Sequence, residues 1–333
     1  MPRMVVVITG ASAGVGRATA RQFARRGDAV ALLARGEESL AGAAREVQAT
    51  GGRPLAIPTD VADAAQVEAA AERATAELGD IDVWVNCAMA SVLAPIWAIE
   101  PAEFRRVTET CYLGQVHGTM AALRRMRPRD RGAIVQVGSA LAYRGIPLQS
   151  AYCGAKHAIR GFTDSVRTEL MHDGSNVRIT SVHLPALNTT QFGMVRTRMP
   201  RTPRPVAPVY QPEVAARAIV WASEHAERRE LWVGGSTAMT IVGARLAPGA
   251  LVDRYLARTG FDDQQTDEPA SGERRRRDYL FAPLPGDHGA RGAFDGESSD
   301  SSRQVWFAQH RNVLAGAGAL AAAGAAIAAA ARR

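Results

Sequence analysis

Between residues 4 and 234 the chain alternates strand-like and helix-like segments without interruption. "MVVVIT" (4–9), "AVALLA" (29–34), "PLAIPTDV" (54–61), "IDVWVNCA" (81–88), "GAIVQVGS" (132–139), "VRITSVHLP" (177–185) and "RELWVG" (229–234) are short and rich in apolar and β-branched residues. Helix-length segments separate them at 14–27, 37–52, 63–79, 102–127, about 150–172 and 212–225. Such strands are too apolar to leave one face in water, and strict alternation calls for right-handed crossovers. Both point to a parallel sheet covered by helices on each side. The loops after the strands then gather on one edge, where such sheets bind ligands.

The fold class is therefore α/β: a doubly wound seven-stranded parallel sheet (Rossmann fold) with a C-terminal extension. The main domain spans 1–235. Residues 236–261 read as a helical extension broken at Pro248–Gly249. Residues 262–311, rich in Asp, Gly, Ser, Pro and Arg, read as a flexible linker with little core of its own. An Ala/Gly-rich helix is expected at 312–333. Residues 313–331 hold twelve Ala, three Gly and four larger aliphatics. Nineteen helical residues span about 28 Å, just enough for a bilayer core, but Ala and Gly supply little insertion energy. A membrane contact through 312–333 and a soluble helix both remain open.

The formal charge is +7, but the arginines are scattered, with clusters at 124–131, 196–204 and 274–277. Aromatics are only 6% and no nucleic-acid-binding pattern accompanies them, so no nucleic-acid partner is expected. Cys87, Cys111 and Cys153 are odd in number and form no C-x-x-C, which argues against a disulfide framework or a metal site and fits a reducing cytoplasm. The short apolar run at the N-terminus reads as a first strand, not a signal peptide.

"TGASAGVG" (9–16) follows the first strand directly and opens the first helix. Gly10 permits a sharp turn, Gly14 a close backbone approach to pyrophosphate, and Gly16 tight helix–sheet packing. The helix N-terminus offers free N–H groups to an anion. Arg35 ends the second strand, with no acidic residue before Glu37. An acid there would bind ribose hydroxyls, whereas a guanidinium suits a 2′-phosphate, so NADP(H) is favoured over NAD(H), with Ser12 and Arg17 assisting.

Lys156 is the only lysine among forty Lys plus Arg. Arginine can replace lysine where only surface charge matters, but not where a compact ammonium must enter a tight site. Tyr152 lies four residues earlier, on the same face of a helix. Ser139 ends the fifth strand thirteen residues before Tyr152. A phenol titrates near 10, a neighbouring ammonium favours its phenolate, and a serine hydroxyl can polarise a substrate oxygen.

With its Thr9-Gly10-x-x-x-Gly14-x-Gly16 turn and its Ser139…Tyr152-x-x-x-Lys156 spacing, the chain resembles the short-chain dehydrogenase/reductase family over residues 4–235. The resemblance implies hydride transfer between a nicotinamide and a carbonyl or alcohol, with Ser139, Tyr152 and Lys156 catalytic. It implies cofactor contacts from the turn (Thr9, Gly10, Ser12, Gly14, Val15, Gly16), from Arg35, and from Asp60 and Val61 at the adenine edge. It further implies contacts from Asn86 and Ala88, from Pro185 and Thr189 near the carboxamide, and from Tyr152 and Lys156 themselves. Homo-oligomerisation is also implied.

Three positions depart from the family pattern: Met89 and Ala186 stand in place of glycines, and Cys111 in place of an asparagine. A thiol cannot present an amide carbonyl to a relay water. Residues 191–212 have no regular pattern and read as a substrate lid, with Phe192, Met194 and Val195 facing a hydrophobic substrate or folded on themselves. The leading expectation is an NADP(H)-dependent oxidoreductase on a small carbonyl or alcohol. The departures feed an alternative: a weakly active, membrane-associated cofactor-binding protein used for sensing.

Overall fold

Val5–Thr9 (β1) is buried on both faces: Val6 and Ile8 point into one apolar layer and Val5 and Val7 into the other. A computed structural model describes residues 4–270 and 277–311, and all seven expected strands form within it. They are β1, Ala29–Ala34 (β2), Arg53–Pro58 (β3), Val83–Asn86 (β4), Ala133–Ser139 (β5), Arg178–Leu184 (β6) and Glu230–Trp232 (β7). Every pairing is parallel and the order is β7-β6-β5-β4-β1-β2-β3. Val6 is in register with Val30 of β2 and with Val83 of β4. The winding direction reverses between β1 and β4, which opens a crevice beyond their C-terminal ends.

Helices Gly14–Ala24 (α1), Glu37–Ala49 (α2) and Pro212–Glu224 (α7) cover one face. Ala64–Leu78 (α3), Gly114–Met126 (α5) and Ser150–His172 (α6) cover the other. Phe23 of α1 is fully buried in the first layer and Trp84 of β4 in the second. Each such side chain contributes about 2–3 kcal/mol by leaving water. The Asp63 carboxylate caps α3 by accepting from the N–H groups of Ala65 and Gln66.

The helix expected over 102–127 is not regular. Pro101–Thr108 (α4) passes into one wide π-turn, Glu109–Leu113, before α5 begins. Cys111 sits in that turn, fully buried; its thiol donates to the Ala90 carbonyl at 3.1 Å and accepts from the Ala90 N–H at 3.2 Å. It ties the wide turn to the segment after β4.

The break at Pro248–Gly249 is where it was expected, between Gly235–Leu246 (α8) and Gly249–Thr259 (α9). The irregular 191–212 segment is pinned by three two-stranded ribbons. Arg196–Thr197 pairs with Val92–Leu93, Arg201–Pro203 with Gln265–Pro269, and Val209–Tyr210 with Ser298–Ser299.

The flexible linker expected over 262–311 is corrected by its described part. Residues 277–311 lie along the domain and bury Leu280, Ala290 and Val305. The 312–333 helix lies outside the described residues. Among the described residues, no helix is long and apolar enough to cross a membrane. Arginines 124, 125, 127, 129 and 131 each pair with a carboxylate, as do 196, 198, 201 and 204.

Candidate active site

A cleft of about 790 Å³ opens at the C-terminal edge of the sheet, above the β1–β4 crevice. The glycine turn forms its floor at one end. Gly10 has φ +69°, and a Cβ there would come within 2.7 Å of the Ala88 Cα. A Cβ on Gly16 would lie 2.2 Å from the Gly10 carbonyl oxygen, so α1 could not start this close to β1 with any other residue. Ser12, Gly14 and Val15 complete this floor. No side chain caps α1, whose N-terminus follows Ala13. A helix start left without a side-chain cap beside a glycine cradle is chemically suited to a diphosphate.

Two expected contacts lie elsewhere. Thr9 is buried under the turn, where its hydroxyl accepts from the N–H groups of Cys87 and Ala88 at 2.9 and 3.1 Å. It holds the end of β4 against β1 and does not line the cleft. Asn86 is fully buried as well. Its amide oxygen accepts from Trp84 Nε1 at 2.8 Å, and its amide nitrogen donates to Gln136, Thr119 and the Gln115 carbonyl. With both ends of the amide committed inside the second layer, Asn86 is a core polar residue, and the expected ribose contact is corrected. Ala88, next along, does face the cleft.

Arg35, Asp60 and Val61 line the adenosine end. Arg35 stands at the end of β2 as expected, but its guanidinium donates to the main-chain carbonyls of Tyr279, Leu280 (3.2 Å) and Phe281 (3.0 Å). Burial and the nearby Arg106 hold its pKa below the usual arginine value. Asp60 accepts from Arg106 at 2.6 Å and from the Ala62 N–H at 3.0 Å. Arg17, expected to assist with a phosphate, is 3% exposed and is paired with Glu46 and Asp287. It does not line the cleft.

Elsewhere the cleft is walled by Ser139, Tyr152 and Lys156; Pro185 also lines it, as does Thr189, whose side chain lies against Gly14. Tyr152 and Lys156 project from the same face of α6, as their spacing requires. The Lys156 Nζ donates to the Val137 carbonyl at 2.7 Å and sits 5.5 Å from the Tyr152 ring centroid. The Ser139 hydroxyl accepts from the Leu141 N–H at 3.1 Å and also hydrogen bonds the Tyr152 phenol.

The electrostatics differ from the expectation of a phenol made acidic by its lysine. Burial pushes the Tyr152 pKa well above the usual phenol value, with Cys111 adding to the rise and the Ser139 hydrogen bond opposing it. Burial also lowers the Lys156 pKa. The ammonium is turned onto a backbone carbonyl, and at the phenol desolvation outweighs the Ser139 hydrogen bond, which favours the neutral form.

Ser139 is supported from below. His183 faces its carbonyl through Nδ1 at 3.2 Å and faces Glu230 through Nε2 at 3.2 Å. Tyr143 donates its hydroxyl to the same carboxylate.

Phe192, Met194 and Val195 all line the cleft, joined from the far side by Met239 and Tyr255. The sequence reading missed Tyr279, Pro283, Leu284 and His288, which line it from the C-terminal segment. Their one signal is "DYLFAPLPGDH" (278–288), an apolar and aromatic cluster inside an otherwise polar stretch.

Comparison with known proteins identifies the family and the fold. The sequence profile of the short chain dehydrogenase family matches residues 4–200. The chain is 33% identical over 270 residues to the uncharacterized oxidoreductase YxnA of Bacillus subtilis (strain 168), covering 80% of this chain and 75% of that one. It is 36% identical over 230 residues to cis-4-hydroxycyclohexanecarboxylate dehydrogenase of Sinomonas cyclohexanicum, covering 67% of this chain and 90% of that one. Among solved structures, an alcohol dehydrogenase from the archaeon Thermococcus sibiricus complexed with 5-hydroxy-NADP superposes with a TM-score of 0.59 at 27% identity. That match covers 69% of this chain and 96% of the other.

Proposed function

The chain belongs to the short-chain dehydrogenase/reductase family, and from that premise we propose that it interconverts a hydrophobic carbonyl and its alcohol with NADP(H), using Tyr152 as general acid/base. It is an oxidoreductase acting on CH–OH groups with a nicotinamide cofactor. The observation that carries the finer reading is one continuous cleft with the glycine turn and the start of α1, which has no side-chain cap, at one end and Ser139, Tyr152 and Lys156 at the other.

A bound nicotinamide would supply or accept the hydride. Every other part of the chemistry belongs to side chains. Gly10, Val15 and Gly16 would carry the diphosphate, with Gly14, whose N–H the Gly289 carbonyl holds, leaving room for its approach, and Pro185 and Thr189 would border the carboxamide. The Ser139 hydroxyl accepts from Leu141 and hydrogen bonds the Tyr152 phenol, and would turn its one proton to a substrate oxygen bound between them. Tyr152, held neutral by burial, donates a proton to that oxygen in the reducing direction. Lys156 contributes a fixed cation beneath the phenol and an ammonium short enough to reach a ribose hydroxyl. Phe192, Met194, Val195 and Met239 give the substrate end an apolar wall.

The cofactor preference rests on charge at the end of β2. Arg35 faces the cleft there, and the first carboxylate after it, Glu37, is exposed. A guanidinium whose plane is fixed by three carbonyls keeps its charge and offers it to a 2′-phosphate without further ordering.

The test is NADPH oxidation against a panel of ketones and aldehydes graded by hydrophobicity, with NADH in parallel. Turnover with NADPH and weaker turnover with NADH are expected. Arg35→Ala should lower NADPH affinity about tenfold or more beyond the loss in NADH affinity that loosening Tyr279–Phe281 causes. Tight binding without turnover on any carbonyl would refute the enzymatic reading, and equal losses for both cofactors would refute the role of Arg35.

A further inference from the structure

The C-terminal segment crosses the mouth of the dinucleotide cleft and is fastened to both walls. On the lid wall, Asp278 accepts from Arg196 at 2.8 Å and the Tyr279 N–H donates to the Met194 carbonyl at 3.2 Å. On the β2–α2 wall, the carbonyls of Tyr279, Leu280 and Phe281 receive the Arg35 guanidinium. Gly286 accepts from the Ser39 hydroxyl at 2.8 Å and donates its N–H to Glu38 at 2.6 Å. Asp287 pairs with Arg17, a cation 3% exposed whose other partners among the described residues are Glu46 and the Ser12 carbonyl. The Gly289 carbonyl then accepts from the Gly14 N–H, in the glycine turn itself, at 3.1 Å. The segment returns to the other wall at Asn188, which receives the Gly292 N–H on its carbonyl and donates its side-chain amide to Asp295.

The segment does not fill the cleft. Tyr279, Pro283, Leu284 and His288 line it, Tyr279 with its hydroxyl against Met89, and a cleft of about 790 Å³ remains, lined by the glycine turn and by Tyr152. The substrate end has its own border at Met239 and Tyr255. A dinucleotide in this cleft would lie under the strap, with its adenosine half enclosed.

We propose that residues 278–295 are a clasp that retains the dinucleotide, latched by Asp287 on Arg17, and that cofactor exchange requires the latch to open. This rests on the reading that the cleft takes a nicotinamide dinucleotide. Differential binding is the physical content: an enclosed ligand and a closed clasp each stabilise the other, and this coupling is reciprocal.

Two substitutions open the latch from opposite sides. Asp287→Ala removes the carboxylate. Gly42→Ala leaves Asp287 in place, but its Cβ would sit 2.1 Å from the Asp287 carboxylate oxygen and turn it away. Alanine also suits the interior of α2 better than glycine, so this second variant keeps the helix sound. The full-length protein is loaded with NADPH, and release into excess NADP⁺ is followed by stopped-flow fluorescence. Release about tenfold or more faster from Asp287→Ala, with a smaller change of the same sign from Gly42→Ala, is expected. In the unmodified chain, saturating NADPH should slow amide hydrogen exchange across 278–292. Wild-type release rates in both folded variants, or unchanged exchange in that segment with NADPH bound, would overturn the clasp. Failure of the unmodified chain to bind either NADPH or NADH would instead overturn the reading of the cleft.

Discussion

Lys156 passes beneath Tyr152, its Nζ 5.5 Å from the ring centroid, and donates to the Val137 carbonyl at 2.7 Å rather than to the phenol. The half-buried phenol therefore holds its proton more firmly than a free phenol does. Two outcomes follow. Carbonyl reduction, which consumes the phenol proton, should be nearly flat from about pH 6 to about pH 9, whereas alcohol oxidation, which needs the phenolate, should rise throughout that range. Tyr152→Phe should lower turnover by about 10³-fold and leave dinucleotide affinity within about threefold. Initial rates in both directions and an NADPH fluorescence titration check this; a Phe variant with near-normal turnover would remove Tyr152 from the mechanism.

Asn86 joins Trp84, Gln136, Thr119 and the Gln115 carbonyl in one buried network. Asn86→Ala would strand the indole N–H of Trp84 in an apolar layer. The cost should be on the order of 3 kcal/mol of unfolding free energy, from lost bonds and unsatisfied partners. The folded fraction should bind NADPH as the wild type does, because Asn86 does not line the cleft. Urea unfolding beside a cofactor titration separates the two effects; a large affinity loss with unchanged stability would restore Asn86 as a cofactor contact.

All three cysteines are free and buried, and burial pushes the Cys87 thiol up to about 12 and raises Cys111 and Cys153. At pH 8 a thiol near 12 is ionised to roughly one part in 10⁴. Iodoacetamide should leave the native enzyme active and unlabelled, while all three sites label in urea. Cys111→Ser, which can keep both contacts with Ala90, should retain activity within about threefold. Rapid inactivation protected by NADPH would mean that Cys87, which lines the cleft, is reactive despite its burial.

What was legible in the sequence is what short-range chemistry writes into it. A β-branched run marks β1 and an apolar run β2, glycine marks the turn at Gly10, and a four-residue spacing on α6 puts Tyr152 and Lys156 together. Asn86 was misread because its partners Thr119 and Gln136 are 33 and 50 residues away. The same side chain would serve a ribose or a core. The clasp was misread for a different reason. It docks largely through main-chain carbonyls, which every residue carries, and through a pair, Arg17 and Asp287, that lies 270 residues apart. Its Gly, Pro and Asp content looks like a solvated linker because no periodic apolar face is needed. The π-turn at Cys111 is equally silent: one extra residue in a turn leaves the helical pattern on both sides intact.

Glu230 sets the acid limit of the fold around Ser139. Burial would raise its pKa, but hydrogen bonds from His183 and Tyr143 outweigh burial and hold it near about 2, against a usual 4.5. Its side chain is only 19% exposed, so little solvent screening intervenes. Because the folded protein favours the carboxylate, the group stabilises the fold fully above about pH 4.5. That contribution, on the order of 3 kcal/mol, is lost as pH falls from about 4.5 to about 2. Tyr143, pushed up to about 12 by burial and by this carboxylate, remains a donor throughout. Glu230→Gln removes the titration. The wild type should therefore exceed the variant in unfolding free energy above about pH 4.5, with the gap closing as pH falls to about 2. Denaturant unfolding of both proteins across that range measures the gap directly. A gap that stays constant with pH would mean that the Glu230 carboxylate gains nothing from His183 and Tyr143 in the fold.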